Sequence, residues 1–322
     1  MQRLVDISLV VFAALVALAG IWYFFIRDDP VVDQPIAAVR EASEILRRNA
    51  LATSSVDWPS ATTRAEAMAS STGRRSALDS SLHALVAELK DSHSHYIGPE
   101  YAKAMEAAPQ SKESLQNLFD IREGAGNVLI VQIHAFASIN VEATAQAAAQ
   151  LNGALKKARA SLSCGLVVDL SDNRGGNMWP MLNGLYSIVP SKALAYFVSG
   201  LGERIPIYAA WPYATDKPDK QLPKALAVVV SDQTSSSGEF VAVSLLAHPN
   251  ARLFGESTAG LTTGNQLFPL RTGGFLAVAT TRLETANGSS ITGPVVPTVR
   301  ASRSEAIRLA SEWLGKECAQ RS

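Results

Sequence analysis

Hydroxyl side chains crowd the stretch SDQTSSSGEF, Ser231 to Phe240, between the hydrophobic run ALAVVV and the apolar periodic segment FVAVSLLA. A serine hydroxyl is a weak nucleophile until a base takes its proton, and histidine is the usual base because its pKa lies near neutrality. Two further loops carry matching chemistry. LKDSHSHYIGPE, Leu89 to Glu100, holds His93 and His95, and DLSDNRGGN, Asp169 to Asn177, ends a buried strand in Gly175 and Gly176. Adjacent glycines let backbone amides approach a reacting oxygen without side-chain hindrance, and a tetrahedral oxyanion needs such preorganised donors. Ser236 sits at a strand-to-helix junction, where free amides and a positive dipole end lie beside it. Together the three loops can supply a nucleophile, a base and oxyanion donors for acyl transfer. Each also has a plain structural reading. Ser236 with Glu239 is a capping-box pattern, Asp172-Asn173 and the glycines make an ordinary turn, and His93 or His95 can be a surface residue. His83, His134 and His248 stand in helical or strand contexts with no partner signature.

The elements around these loops read as α/β. IAAVREASEILRRNALA and SALDSSLHALVAELK show apolar positions at three- and four-residue spacing, and the stretch between them has no strand-like alternation, so residues 36–92 predict a small helical bundle. NVLIVQI, CGLVVDL and KALAVVVS read as buried strands alternating with helices, which predicts a mixed α/β core over 127–322 after a connecting or cap segment at 93–126. GGFLAVATTRL reads as an antiparallel strand with Asn287-Gly288 as a turn. The last helix, SEAIRLASEWLGKECA, carries an apolar stripe of Ile307, Leu309, Ala310, Trp313 and Leu314.

The 322-residue chain has a formal net charge of +0, which leaves no electrostatic footprint for nucleic acid. From Ile7 to Phe25 no residue is charged, the length a helix needs to cross a bilayer, and Arg3 before it against Asp28 and Asp29 after it predicts a cytoplasmic N-terminus. Residues 1–26 are therefore read as a tip and transmembrane anchor, 27–35 as a linker, and the remainder as extracytoplasmic. A cleaved signal peptide ending near Ala17-Leu18-Ala19 is the alternative. Cys164 and Cys318 are too few and too isolated for a structural zinc site, and no cofactor or metal is expected; in an oxidising compartment the pair invites a disulfide, with two independently buried thiols as the alternative.

LKDSHSHY resembles the D-x-H-S segment of the tail-specific, C-terminal-processing serine peptidases. GLVVDLSDNRGG is similar to their strand and glycine turn, and TSSSGE followed by FGESTAGLTTGN to their nucleophile region and the loop after it. The likeness runs in order from about Leu89 to Pro297 and implies a crotonase-like peptidase core. It places the nucleophile three residues before the glutamate, at Ser236. Relatives with a lysine base carry that lysine where this chain has Leu261, which moves the base to His93, as in the tricorn-like branch; there the preceding serine, Ser92, would orient it, with Asp91 and Glu239 as further support. Ser171 stands where the family commonly has arginine. Only roughly thirty residues separate His95 from Asn127, too few for the inserted PDZ domain that many relatives have. This combination resembles the nisin-resistance type, which clips the tail of a lantibiotic peptide outside the cell. The resulting expectation is a membrane-anchored serine endopeptidase with a Ser236–His93 dyad and an oxyanion site of the Gly175, Gly176 and Ser237 amides. Its peptide groove is expected between bundle and core, walled by Trp179 and the strand around His134 and Phe136. A binding protein on the same fold that has lost catalysis is the alternative, and the intact serine, histidine and glycines speak against it. The oligomeric state is not legible in the sequence.

Overall fold

The computed structural model describes residues 32–107, 117–124, 128–159, 165–210 and 217–319. The uncharged run Ile7 to Phe25 and Cys164 lie outside the described residues, and no described helix is long and apolar enough to cross a membrane. The chain divides into two compact units, one of residues 1–99 with 267–278 and one of residues 100–266 with 279–322.

The first unit is built on three helices, α1 (Pro35–Asn49), α2 (Trp58–Ser70) and α3 (Arg75–Ala87). Proline opens α1, where its missing amide costs nothing, and Arg47 and Arg48 sit at its carbonyl end, where the dipole favours cations. The Asp57 side chain caps α2 by accepting from the Ser60 amide at 3.3 Å. Ala61, Ala65 and Ala69 recur at every fourth residue of α2 and are buried, as are Leu78, Leu82 and Leu85 of α3 and Ala38, Ala42 and Leu46 of α1. These faces share one core with Leu270, Leu276 and Val278. Residues 267–278, which the sequence pattern groups with the α/β core, thus belong to the helical unit. Lys90, with φ 53°, ends the helical stretch. A turn then leads to β1 (His95–Ile97), which pairs antiparallel with the start of β10 (Phe275–Thr285), His95 opposite Ala277.

The second unit holds the expected α/β core. β3 (Val128–Ile133), β4 (Gly165–Asp169), β7 (Ala225–Val230) and β8 (Ala251–Gly255) run parallel in the order β8-β7-β4-β3. The antiparallel β2 (Phe119–Gly124) edges this sheet next to β3, so part of the presumed connecting segment is a core strand. Alternation along β4 explains both faces. Leu166 and Val168 pack with α5 (Val141–Arg159), α6 (Met178–Gly184) and α7 (Ser237–Leu245), while Val167 packs with Ala306, Ala310 and Leu314 of α8 (Arg303–Ala319). Ile307, Leu309 and Trp313 of the expected stripe are partly buried against the same core. In the second unit, residues 279–285 of β10 continue into pairing with β5 (Ala195–Ser199), and Gly288, φ 88°, closes the predicted turn. Because β3, β4, β7 and β8 are parallel, the loops following them, with Phe136, the glycine turn, the serine cluster and residues 256–260, gather at one edge of the sheet.

Candidate active site

The serine cluster leaves β7 through a tight turn in which Thr234 Oγ1 donates to the Leu170 carbonyl at 2.8 Å and the Ser235 amide to the Asn173 carbonyl at 3.0 Å. Those two bonds bind the loop after β7 to the loop after β4. Ser236 then precedes α7 with φ 52° and ψ −122°. That backbone region is rarely used by a residue with a β-carbon and costs on the order of 1–3 kcal/mol, so neighbouring bonds must hold it. Glu239 does so. It is fully buried, and its carboxylate accepts from the Ser236 amide at 2.9 Å, from the Gly260 amide at 2.8 Å and from the Thr258 hydroxyl. Burial pushes the Glu239 carboxyl above its ordinary value, opposed by the bonds from Thr258, Gly260, Ser236 and Leu261. The capping-box pairing of Ser236 with Glu239 is present, and the Glu239 amide donates at 2.8 Å to the Ser236 carbonyl.

The glycine turn lies directly against this serine. A β-carbon on Gly175 would stand 2.8 Å from Ser236 Cβ and 3.2 Å from the Ser237 nitrogen, and one on Gly176 would meet the Phe136 carbonyl oxygen at 2.3 Å. Both glycines have positive φ, 95° and 102°, so close approach and backbone conformation each demand glycine. The Ser237 hydroxyl donates to the Gly176 carbonyl at 2.5 Å, a second tie between turn and helix. One expectation is corrected here. The Gly175 amide donates to Asn173 Oδ1 at 2.9 Å, so it is already engaged, unlike the free donor the glycine turn was expected to offer there. The Gly176 and Ser237 amides have no acceptor among the described residues, and they are the pair that can receive an oxyanion.

Phe136 is a second correction. Its side chain is 1% exposed within the core, so it walls no groove; its backbone bridges to Gly176, with its amide donating to the Gly175 carbonyl at 3.2 Å and its carbonyl accepting from Asn177 at 2.6 Å. A phenyl ring at the end of a buried strand follows the apolar side. His134 is turned to Asp120, Nε2 to Oδ2 at 2.8 Å, and this bond holds the Asp120 carboxyl below its ordinary value. Trp179 is exposed on the first turn of α6.

The histidine segment belongs to the first unit. Asp91 Oδ1 accepts from the His93 amide at 3.0 Å and from the Ser94 amide at 2.6 Å, while Oδ2 accepts from the Ser94 hydroxyl at 2.7 Å. Asp91 thus shapes the loop that carries His93 through its backbone. Ser92 is exposed, and His95 is exposed with Nδ1 at 2.9 Å from the His93 carbonyl. Cys318, on α8, is disulfide-bonded. Among the described residues no group of three or more His, Cys, Asp or Glu side chains comes together to hold a metal ion.

Sequence reasoning passed over Asn173, Thr258 and Gly260. The signal for Asn173 was its place two residues before a glycine pair, the spacing of an Asx turn. Nothing local marks Thr258 and Gly260, because their partner Glu239 lies about twenty residues away.

The profile of Peptidase family S41 matches residues 127–301, a span that contains the glycine turn, the serine cluster and the loop after it. The Nisin-resistance protein of Lactococcus lactis subsp. lactis is 28% identical over 198 residues, which cover 59% of this chain and 60% of that protein. The chain thus matches about three fifths of that relative's length. A lipoprotein from Streptococcus agalactiae has the same fold with a TM-score of 0.76 at 22% identity, over 89% of this chain and 98% of that one. The photosystem II D1 C-terminal processing protease superposes with a TM-score of 0.57 at 15% identity, over 89% of this chain and 99% of that one.

Proposed function

This chain belongs to peptidase family S41, and from this premise we propose a membrane-anchored serine endopeptidase that works outside the cytoplasm with a Ser236–His93 dyad. The observation that carries the reading is Ser236 itself, held at φ 52° ahead of α7 with the acceptor-free amides of Gly176 and Ser237 beside it. A serine constrained in this way can present its hydroxyl to a carbonyl in a fixed direction.

In the proposed cycle Ser236 Oγ attacks the scissile carbonyl carbon while His93 takes the hydroxyl proton. The carbonyl oxygen becomes an oxyanion that accepts from the Gly176 and Ser237 amides. His93 then gives its proton to the leaving nitrogen as the C–N bond breaks, which leaves an acyl-enzyme. Water, deprotonated by His93, attacks that ester; its collapse releases a carboxylate and returns the proton to Ser236. Ser92 and Asp91 support His93, Asp91 by shaping its loop.

The substrate proposed is a short, extended, membrane-active peptide cut near its C-terminus, such as a lantibiotic. The name of the Lactococcus relative supports this class, and the uncharged run Ile7 to Phe25 supports an anchor that would hold the site where amphipathic peptides collect. Two measurements test the function. A fluorophosphonate should label the full-length protein in detergent, and Ser236→Ala should abolish labelling; a labelled Ser236→Ala protein or an unlabelled wild type rejects the nucleophile. Mass spectrometry of a lantibiotic-like peptide and an unfolded protein of matched length should show cleavage near the C-terminus of the peptide first. Efficient cutting throughout the unfolded protein, with the peptide intact, rejects the substrate class.

A further inference from the structure

Asn173 has no accessible surface, and every polar atom it owns is bonded, its carbonyl and its side-chain nitrogen to segments that are remote in sequence. Its amide donates to the Leu170 carbonyl at 2.9 Å, and its carbonyl accepts from the Ser235 amide at 3.0 Å. Side-chain Oδ1 accepts from the Gly175 amide at 2.9 Å, while Nδ2 donates to the carbonyls of Ile133 and His134 at 3.2 and 3.1 Å. Gly238, in the first turn of α7, packs so closely that a β-carbon there would meet the Asn173 carbonyl at 2.7 Å and Oδ1 at 2.9 Å. One side chain therefore joins the end of β3, the glycine turn and the first turn of the nucleophile helix.

The residue type follows from those partners. The site asks for one acceptor and two donors on a short neutral side chain, which asparagine supplies. Aspartate would face two carbonyl oxygens with a buried charge and no donor, and alanine would leave the Gly175 amide and two carbonyls unpaired in a dry interior.

We propose that Asn173 is a positioning residue for the oxyanion site, a role that rests on Ser236 being the nucleophile. By engaging the Gly175 amide, Asn173 holds the turn in the positive-φ conformation that leaves the Gly176 amide unengaged. By accepting from Ser235 it keeps that turn in register with Ser236 and the Ser237 amide. Oxyanion binding is thereby assigned to Gly176 and Ser237 and withheld from Gly175.

Asn173→Ala in the full-length protein is the direct test. Per folded molecule, kcat and the fluorophosphonate labelling rate should both fall about a hundredfold, the scale of a 1 Å misplacement of reacting groups, with KM within about threefold of wild type. A folded variant that labels and turns over at the wild-type rate overturns the positioning role while leaving Ser236 as nucleophile; a wild-type protein that does not label overturns both. A measurement on unmutated protein covers the case in which Asn173→Ala does not fold. With 15N-glycine and 15N-serine labelling, amide exchange should be slow at Gly175 before phosphonylation and unchanged after it. Exchange at Gly176 and Ser237 should slow only once the phosphonyl oxygen occupies the oxyanion site. Slowing at Gly175 on adduct formation, or fast exchange there beforehand, overturns the assignment.

Discussion

Ser236 keeps its unusual backbone through the buried carboxylate of Glu239. Glu239→Ala would leave the Ser236 amide, the Gly260 amide and the Thr258 hydroxyl without their acceptor, at about 1–3 kcal/mol for each group that stays buried. Urea unfolding should show a loss of several kcal/mol, and kcat per folded molecule should drop about a hundredfold as Ser236 relaxes. The pH dependence has a definite sign. Because burial raises the Glu239 carboxyl above 4.5, the folded state holds a proton that the unfolded state has released, so stability from this group is full below 4.5 and is lost as pH rises through the raised value. In Glu239→Gln the unfolding free energy should fall less steeply over that acid range; an unchanged slope would contradict the raised pKa. The glycines predict an order of damage. Gly176→Ala drives a β-carbon into a backbone oxygen at 2.3 Å, whereas Gly175→Ala meets the Ser236 side chain at 2.8 Å. Thermal melts should show the greater loss of stability in Gly176→Ala, and the labelling rate of Gly175→Ala should fall even where its melting temperature is largely kept.

Among the elements, α8 has the clearest consequence. Leu314 packs so tightly on the start of β4 that a β-carbon on Gly165 would lie 2.7 Å from Leu314 Cδ2. Cys318 follows Leu314 by one helical turn and Cys164 precedes Gly165, which supports pairing of the two as the disulfide that Cys318 forms. Denatured, unreduced protein should titrate no free thiol, and peptide mapping should recover a Cys164–Cys318 crosslink. Reduction opens a loop of about 150 residues and should cost roughly 4 to 5 kcal/mol in the chain-entropy model. Two titrating thiols would refute the pairing. The same element shows how far periodicity reaches: the stripe of Ile307, Leu309, Ala310, Trp313 and Leu314 announces a docked helix but does not say which strand face receives it, nor that Ala306 joins Ala310 and Leu314 as its fully buried face.

Across the whole molecule, the anchor proposal predicts that protease added to intact cells, or to spheroplasts where an outer membrane is present, degrades the chain beyond Arg27. Complete protection would remove the extracytoplasmic placement. What the sequence determined by itself is the kind and order of most elements, because periods of two and 3.6 residues are local: VLIVQI, GLVVD and ALAVVV are all strands of the core sheet, and the bundle helices fell where their apolar spacing put them. It also picked out candidate residues, since serine, histidine and paired glycines stand out by type. Tertiary structure alone decided how those residues are used. The Gly175 amide was spent on Asn173, the Phe136 ring went into the core, Glu239 found Thr258 and Gly260, and residues 267–278 joined the helical unit. Each of these outcomes is a choice of partner across long separations, 40 residues in the case of Asn173 and Ile133. A buried polar atom must be paired, but the chain's periodicity says nothing of which distant atom will reach it; only packing the strands and loops together makes that selection.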